Sequence, residues 1–365
     1  MSSPKFHTLK VKDLKRETAD SVSIAFEIPA ELSSDYHFIQ GQSITIRKTF
    51  DGNEIRRSYS ICSSPLDGEL RVGIKKVENG LFSSYANTSL KTGDLLDVMT
   101  PSGHFYTELN PSQRKNYLAF AAGSGITPML SIIKTTLATE KDSSFTLVYG
   151  NRNTGSIMFL EDIEALKNIY LERFTVFYIL SRETVDVPIL NGRINGDKCK
   201  ELNLNKLIDA NQVDETFLCG PEDMIMSVKE TLTGLGMDPK HIHFELFTTP
   251  VMAAQAAQKS QSAEAAATDR SHMAAVSVKI DGITYQLDLP YGGDTILDAA
   301  LKAGADLPFA CKGGVCCTCR AKVTKGSASM DMNFSLEDDE VEKGYILTCQ
   351  SHPTSEEVFV DFDIK

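Results

Sequence analysis

The chain has 365 residues, of which 42% are hydrophobic and 24% are charged, and its net charge at pH 7 is −12. This composition is typical of a globular protein and excludes a chain that is disordered throughout. The acidic balance argues against a protein that binds nucleic acid or an anionic membrane surface, and no run of about 18 apolar residues predicts a transmembrane helix. The first segment, Met1–Asp20, lacks the apolar core of a secretory signal, so we expect a cytoplasmic protein.

The first 110 residues contain short runs of β-forming residues, separated by turn signals such as Asp51-Gly52 and Asp67-Gly68. The predicted strands are Val22–Ile28, Ser43–Arg47, Arg57–Cys62, Glu69–Val77 and Leu95–Met99. Many short strands at this spacing predict an antiparallel β-barrel. We therefore expect residues 1–110 to form a first, all-β domain.

Beyond residue 110, predicted strands alternate with predicted helices. The strands are Tyr117–Ala122, Phe145–Tyr149, Phe174–Leu180, Glu215–Cys219 and His241–Phe247, and the helices are Met129–Ala138, Phe159–Lys167 and Asp223–Leu232. Such alternation predicts a mostly parallel, doubly wound α/β sheet. We expect residues 111–250 to form this second domain.

The segment Val251–Ala275 differs from the rest of the chain in composition. It contains ten alanines in 25 residues, with few large apolar side chains. Such a segment cannot bury a core, so we interpret it as a linker that is partly flexible and partly transiently helical. The alternative is a surface helix packed on one of the domains.

Five of the eight cysteines lie between Cys311 and Cys349, and disulfides do not explain this clustering in a cytosolic chain. Cys311, Cys316 and Cys319 follow C-x4-C-x2-C spacing, and Cys349 comes after 29 further residues. This spacing is typical of a plant-type [2Fe–2S] cluster bound by four thiolates. The main alternative is structural zinc, which usually needs a second short cysteine pair. Cys317 does not fit the ligand spacing, so we expect it to be a spare thiol.

The residues around this cysteine cluster predict a small C-terminal β-grasp domain, residues 276–365. Val276–Ile280 and Thr284–Leu289 flank an Asp-Gly turn and predict a hairpin. A helix is expected over Leu297–Ala303, with Asp294 or Thr295 at its N-cap.

Two segments of the first domain contain the residue types that a flavin site needs. In Arg57-Ser58-Tyr59-Ser60, strand alternation puts Arg57 and Tyr59 on one face, where they can supply a cation for phosphate and a flat ring for the isoalloxazine, with Ser60 near flavin N5. In Gly80-Leu81-Phe82-Ser83-Ser84, the start of a helix can bind pyrophosphate through its amides and hydroxyls. Taken alone, the first segment favours an exposed arginine and a core tyrosine.

The second domain contains a glycine-rich loop, Gly123-Ser124-Gly125-Ile126-Thr127-Pro128, between a strand and a helix. Its glycines allow a pyrophosphate to approach closely, and Pro128 suits the first turn of the helix. An ordinary strand–helix turn explains the loop equally well.

Two further segments follow predicted strands of the same sheet. Ser181 and Arg182 follow Phe174–Leu180 and can bind the 2′-phosphate of NADP, although a surface serine and arginine are the simpler interpretation. Cys219-Gly220-Pro221 lies at the sheet edge where ligands bind, so the Cys219 thiol can pack against nicotinamide C4. A buried structural cysteine is the alternative there.

In this order, the parts resemble the ferredoxin–NADP reductase superfamily with a C-terminal plant-type ferredoxin domain. In that family, R-x-Y-S binds the flavin, G-x-G-x-x-P binds the nicotinamide dinucleotide and C-G-P completes the hydride site. The matching residues are Arg57, Tyr59 and Ser60, then Gly123, Gly125 and Pro128, then Cys219, Gly220 and Pro221. The resemblance extends over nearly the whole chain apart from the linker.

The runs RRSYSICSS, AAGSGITPML, YGNR, ADLPFACKGGVC and GYILTCQ are similar to those of the reductase subunits of bacterial phenylacetyl-CoA epoxidases. This similarity implies FAD, NADPH, a [2Fe–2S] cluster and a di-iron oxygenase as the partner. It also implies that Arg152 reaches the dinucleotide. Phe247 stands where plant reductases have a tyrosine stacked on the flavin, and Glu245 either approaches the flavin or faces solvent.

The function expected from these residues is electron transfer from NADPH through FAD and the cluster to the oxygenase. One alternative is a reductase that uses NADH and FMN to serve an aromatic-ring dioxygenase, and another is a reductase of a haem protein. A redox sensor is a third alternative, although a sensor usually has an output domain and none is visible in the sequence.

Overall fold

A computed structural model of the chain describes residues 5–247 and 273–364. Of the predicted linker, residues 251–272 lie outside the described residues. Its last three residues, 273–275, belong to a strand, so the prediction was wrong there. Strand pairing recruits them, because Ala274 and Ala275 pair with Leu289 and Asp288 of the next strand.

The first domain is an antiparallel sheet of six strands in the order β4-β3-β6-β1-β2-β5. Its elements are β1 (Phe6–Thr18), β2 (Ser21–Glu27), β3 (Ser43–Phe50), β4 (Asn53–Ser60), β5 (Leu70–Lys75), α1 (Leu81–Thr88) and β6 (Leu95–Met99). The two edge strands meet at an isolated bridge between Ile61, just after β4, and Val72 of β5. The sheet therefore closes on itself as the predicted barrel.

Strand β1 was not predicted from the sequence. Its inward positions include Leu9 and Val11, which are fully buried, but the residues between and beyond them are mostly charged. A 13-residue strand with so few apolar positions gives a weak alternation signal. Its pairing along β2 supplies the backbone hydrogen bonds that stabilise it.

The second domain is a parallel sheet in the order β11-β10-β7-β8-β9. Its elements are β7 (Asn116–Ala122), α2 (Ile126–Thr139), β8 (Ser144–Asn151), α3 (Leu160–Ile169), β9 (Phe174–Leu180), α4 (Gly196–Leu204), β10 (Glu215–Gly220), α5 (Glu222–Gly234) and β11 (Ile242–Leu246). The strand order reverses between β7 and β10, which is the topological switch point of a doubly wound fold. Ligands of such sheets bind beyond the carboxyl ends of the strands near this point.

Helix α4 was also missed by the sequence analysis. Only Cys199 and Leu202 are buried among its nine residues. Its first turn is fixed by Asn195, whose side chain accepts a hydrogen bond from the backbone N–H of Lys198 at 2.8 Å. A short helix with two apolar contacts has too weak a periodicity to be predicted.

The C-terminal domain is a mixed sheet in the order β13-β12-β18-β14-β16, and two short helices contact its strands. Its elements are β12 (Met273–Ile280), β13 (Ile283–Pro290), α6 (Ile296–Lys302), β14 (Arg320–Lys325), β15 (Ala328–Met330), α7 (Asp338–Glu342), β16 (Tyr345–Leu347), β17 (Ser351–Pro353) and β18 (Glu357–Asp361). The Thr295 hydroxyl caps α6, accepting a hydrogen bond from the N–H of Asp298 at 3.2 Å. The barrel and the parallel sheet, apart from Phe6 and Arg56–Ser58, form one compact unit, and this domain belongs to a second.

None of the helices in the described part of the chain has the length and the apolar character that crossing a membrane would require.

A buried carboxylate stabilises the amino edge of the parallel sheet. Glu215, at the start of β10, contacts Lys115 Nζ at 2.9 Å, His243 Nε2 at 2.9 Å and His241 Nδ1 at 3.2 Å. Burial raises the pKa of Glu215, but the hydrogen bonds from these three residues outweigh burial and lower the pKa to about 2. The carboxylate is therefore charged in the folded protein at neutral pH.

We predict that Glu215→Gln lowers the free energy of unfolding at pH 7 by about 1–3 kcal/mol, because a charged acceptor is lost from buried donors. A pKa below that of the unfolded chain contributes stability above pH 4.5, and this contribution is lost as the pH falls towards 2. Denaturant unfolding followed by circular dichroism should therefore show a smaller difference at pH 4 than at pH 7. The exposed Glu230→Gln is the control, and equal losses at both pH values would contradict the prediction.

Candidate functional site

Strand β4 carries the residues predicted to bind the flavin. Arg57 is exposed, Tyr59 is half-buried and Ser60 is buried, as the alternation along the strand requires. The Tyr59 ring lies 5.7 Å from the ring of Phe82 in α1, measured between centroids. Ser58, which lies between Arg57 and Tyr59 in the strand, is half-buried. An exposed cation and a partly exposed ring on one strand fit the phosphate and the ring system of a flavin.

The first turn of α1 fits a pyrophosphate. Gly80 precedes the helix, and a Cβ at this position would lie 2.5 Å from Ser83 Oγ, so glycine permits the tight turn. Ser83 is buried and accepts a hydrogen bond from the N–H of Val77 at 3.1 Å, whereas Ser84 is half-buried. Ser83 thus holds the turn, and the N–H groups of the first turn of a helix have no partner within the helix.

The glycine-rich loop lies between β7 and α2 in a single 3-10 turn, Gly123–Gly125. A Cβ at Gly125 would lie 2.1 Å from the backbone oxygen of Cys219, so only glycine allows the loop to pack against the end of β10. Thr127 Oγ1 donates to the carbonyl of Ser124 at 3.0 Å and fixes the start of α2. Pro128 lies in the first turn of that helix, as predicted.

The structure brings three of the predicted residues together at the carboxyl edge of the sheet. Ser60 Oγ donates to Glu245 Oε2 at 2.8 Å, and this bond connects the end of barrel strand β4 to β11. Cys219 of β10 is the register partner of Glu245 in β11. Glu245 is half-buried, and this bond directs its carboxyl group towards the end of the barrel strand. Gly220 and Pro221 continue from Cys219 and lead into α5.

The electrostatics of this group are set by burial. Burial raises the pKa of Glu245 to about 7, and the hydrogen bond from Ser60 offsets part of that rise. Burial and the neighbouring Glu245 raise the pKa of the Cys219 thiol well above its usual value, so this cysteine is neutral. A carboxyl group that titrates near neutral pH in such a position is typical of a functional site.

The residues predicted to bind the 2′-phosphate, Ser181 and Arg182, and Arg152, predicted to reach the dinucleotide, lie just beyond β9 and β8. Arg152 and Arg182 are exposed, and the N–H of Arg182 donates to the carbonyl of Arg152 at 2.7 Å. Ser181 is half-buried, and its hydroxyl donates to the carbonyl of Asn151 at 3.2 Å. Both guanidinium groups are thus exposed to a ligand at the same edge of the sheet as the glycine-rich loop. Phe247, after β11, packs against the core of this domain.

The sequence analysis did not single out Asn151, the last residue of β8. It is buried, and neither its amide nitrogen nor its amide oxygen has a hydrogen-bond partner among the described residues. The signal available in the sequence was a polar residue at the carboxyl end of a predicted parallel strand, where ligands of such sheets bind.

Four cysteines of the C-terminal domain lie together. The Cys311 thiol is within hydrogen-bonding distance of the thiols of Cys316 and Cys349, and Cys349 also contacts Cys319. The N–H of Gly313 donates to Cys311 Sγ at 3.3 Å. Four thiols connected by these contacts, with a backbone amide directed at one of them, supply the donor set that a [2Fe–2S] cluster needs.

Cys317 points away from this group. Its φ of +50° is in the left-handed region, and its thiol donates to the carbonyl of Ser335 at 2.9 Å. This leaves Cys311, Cys316, Cys319 and Cys349 as the thiols available to a [2Fe–2S] cluster.

Comparisons with known families match all three domains. The description "Oxidoreductase FAD-binding domain" matches residues 8–106, "Oxidoreductase NAD-binding domain" matches residues 120–230, and "2Fe-2S iron-sulfur cluster binding domain" matches residues 278–354. The predicted flavin, dinucleotide and cluster domains are thereby confirmed as FAD, NAD(P) and [2Fe–2S] domains.

Relatives align along the full length of the chain. It is 45% identical over 360 residues to a component protein of the 1,2-phenylacetyl-CoA epoxidase of Escherichia coli (strain K12), covering 99% of this chain and 98% of that protein. It is 32% identical over 356 residues to the ferredoxin reductase component of 3-ketosteroid-9-alpha-monooxygenase of Rhodococcus rhodochrous, covering 97% and 96%.

Solved structures with low sequence identity share the fold. Phthalate dioxygenase reductase matches with a TM-score of 0.58 and 21% identity, covering 98% of each chain. An intact type IV self-sufficient cytochrome P450 monooxygenase matches with a TM-score of 0.69 and 21% identity, and the match covers 97% of this chain but 41% of that longer one.

The resemblance found in the sequence is therefore confirmed by the whole-chain identity and by the order of the three domains. The chain belongs to the ferredoxin–NADP reductase type of oxidoreductases with a C-terminal [2Fe–2S] domain, the family that includes the reductase components of multicomponent oxygenases.

Proposed function

We propose that this reductase takes a hydride from NADPH at the Ser60–Glu245–Cys219 group and delivers single electrons through its [2Fe–2S] domain to a di-iron oxygenase. The observation that carries the proposal is the 2.8 Å hydrogen bond from Ser60 to Glu245. It joins the end of the strand predicted to bind the flavin to the end of the nucleotide-binding sheet. In this assignment, residues 1–110 bind FAD, residues 111–250 bind NADPH and residues 276–365 hold the cluster.

When bound, FAD supplies two-electron hydride chemistry and one-electron release, and the cluster supplies one-electron transfer. The protein side chains orient the bound cofactors and exclude water from the site. Arg57 and Tyr59, with Ser58 beside them, hold the flavin, and the first turn of α1 at Gly80, Ser83 and Ser84 holds its pyrophosphate. Ser60 and Cys219 border the position where hydride passes, and the carboxyl group of Glu245 lies next to both. Phe247 borders the flavin in this proposal.

The dinucleotide lies across the carboxyl edge of the parallel sheet. We assign its pyrophosphate to Gly123, Ser124, Gly125, Thr127 and Pro128, and its nicotinamide end to Cys219, Gly220 and Pro221. A preference for NADPH over NADH is supported by the exposed guanidinium groups of Arg152 and Arg182 next to Ser181, since Arg pairs bidentately with phosphate.

The electron acceptor is an oxygenase in this proposal. The support is the 45% identity to a protein named as part of 1,2-phenylacetyl-CoA epoxidase. On this basis we assign the chain to phenylacetyl-CoA epoxidation in phenylacetate breakdown, with the di-iron epoxidase subunits as partners and the cytoplasm as location.

An anaerobic titration of the purified protein with NADPH and, separately, with NADH tests the function. We expect NADPH to bleach the flavin and iron–sulfur absorption bands at low excess, and NADH to do so more weakly. Arg182→Ala should raise the KM for NADPH roughly tenfold or more, because a charge-assisted hydrogen bond to the phosphate is lost. The KM for NADH should not change.

The exposed Arg114→Ala, which lies before β7 at the opposite edge of the sheet, is the matched control. A preference for NADH would indicate a reductase of the aromatic-ring dioxygenase type. A protein loaded with flavin and iron that neither nucleotide reduces would overturn the proposal altogether.

Substitution of the cysteines tests the cluster assignment. We predict that Cys311→Ser, Cys316→Ser, Cys319→Ser and Cys349→Ser each lose iron and acid-labile sulfide, because each removes one of four thiolate ligands. Cys317→Ser should retain both, since its thiol is bonded to Ser335 and directed away from the group. Cluster loss in Cys317→Ser, with retention in one of the other four, would contradict the assignment.

Glu245 should give hydride transfer a pH dependence. Its carboxyl group is protonated below about pH 7 and charged above, and a negative charge stabilises the positive charge that develops on the hydride donor. We predict that the stopped-flow rate of flavin reduction by NADPH rises as the pH increases through 7. In Glu245→Gln, the rate should be about tenfold lower at pH 8 and should not change through this range.

The exposed Glu172→Gln should keep the pH profile of the unmodified protein. An inflection near pH 7 that persists in Glu245→Gln would show that another group controls it.

A further inference from the structure

Asn151 is a buried amide that the fold leaves without partners. It is 8% exposed, and neither Oδ1 nor Nδ2 has a partner in full hydrogen-bond geometry among the described residues. The side chain lies close to the Tyr149 hydroxyl, and this contact offsets part of the rise that burial causes in the pKa of that tyrosine, without completing the hydrogen bonds of the amide. Unmade hydrogen bonds on a buried amide cost free energy, so a ligand that pairs with this side chain would gain from it.

Asn151 lies at the carboxyl edge of the parallel sheet, near the glycine-rich loop. Residues two apart in a strand lie on the same face, so Asn151 lies on the face of β8 that carries Tyr149. The Tyr149 hydroxyl donates to the carbonyl of Gly123 in the glycine-rich loop at 2.9 Å. The backbone carbonyl of Asn151 accepts hydrogen bonds from both the N–H and the hydroxyl of Ser181, at 3.0 and 3.2 Å.

The order of strands indicates which part of the dinucleotide would lie there. Along the carboxyl edge, β10 and β11 carry Cys219 and Glu245, β7 leads into the glycine-rich loop, β8 ends at Asn151, and β9 leads into Ser181. With the nicotinamide at β10 and the pyrophosphate at β7, the next group along the molecule is the adenosine ribose, and it falls at β8.

The chemistry of an amide agrees with this position. Asn offers a donor and an acceptor side by side. A phosphate would leave the acceptor oxygen unpaired, whereas a ribose hydroxyl both donates and accepts. In dinucleotide-binding folds an acidic side chain some 20 residues after the glycine-rich loop commonly binds this ribose, and Asn151 is the corresponding polar residue at the end of the second strand.

We propose that the Asn151 side chain binds the adenosine ribose hydroxyls of the dinucleotide and so contributes to the affinity for it. The inference rests on the proposed use of a nicotinamide dinucleotide as the electron donor. Asn151 is neutral, so it accepts a ribose with or without a neighbouring phosphate, and Ser181 and Arg182 are left to select between NADPH and NADH.

The test uses the full-length holoenzyme and calorimetric binding of NADPH and of 2′-phospho-ADP-ribose, which lacks the nicotinamide. Asn151→Leu should raise the Kd of both ligands by the same factor, roughly 5- to 50-fold, since one or two hydrogen bonds are lost. The thermal midpoint without ligand should stay the same or rise, because an unpaired buried amide is replaced by an apolar side chain.

A second variant keeps the acceptor and adds charge. Asn151→Asp should weaken NADPH binding more than NADH binding, since the new carboxylate repels the 2′-phosphate while still accepting a hydrogen bond from a ribose hydroxyl. The matched control is Thr136→Val on α2, which removes another buried hydroxyl that has no partner among the described residues. It should leave both Kd values within twofold.

Each outcome decides the inference. If Asn151→Leu weakens NADPH but not 2′-phospho-ADP-ribose, the residue contacts the nicotinamide half and the proposal is wrong. If neither ligand is affected, or if the variant loses stability in proportion to binding, Asn151 has a structural role only. If the unmodified protein binds neither ligand, the proposed function itself fails.

Discussion

The hydrogen bond from Ser60 to Glu245 is the contact on which the reductase site depends. It joins a buried residue at the end of a barrel strand to a carboxyl group at the end of a parallel strand, 185 residues later in the chain. Two other close approaches hold the same region together. Gly125 packs against the backbone of Cys219, and Gly73 of the barrel packs against Thr127 at the start of α2. Because these positions tolerate no larger residue, the two domains present their ligand-binding edges in one fixed relation.

The parallel sheet uses its two edges differently. At the amino edge, Glu215 is surrounded by hydrogen-bond donors, and its pKa is lowered to about 2. At the carboxyl edge of the same pair of strands, Glu245 has Ser60 as its donor, and burial raises its pKa to about 7. Asn151, at that edge, has no partner among the described residues. The amino edge, where the buried carboxylate has its hydrogen bonds, contributes stability. The carboxyl edge retains polar groups that can bind a ligand, as functional sites commonly do.

The cluster-binding loop shows a similar division between strain and function. Lys312, Gly314 and Cys317 all have positive φ, and the two non-glycine residues are strained there. The turn at Cys317 directs its thiol to Ser335 and leaves the neighbouring Cys316 among the other ligand thiols. The conformation that separates two adjacent cysteines is thus what makes a four-thiolate site from five clustered cysteines.

The sequence by itself determined the three kinds of domain, the glycine-rich loop and the four cysteines that we propose as cluster ligands, because these depend on local periodicity, turn residues and spacing. It did not predict β1 or α4, whose few buried side chains give little periodic signal and whose stability comes from pairing and packing with distant segments. Only the tertiary structure decided that Glu245 meets Ser60, and that Asn151 is buried without a partner among the described residues. Both facts depend on which strands are neighbours and how far their ends extend, which no local pattern of residues encodes.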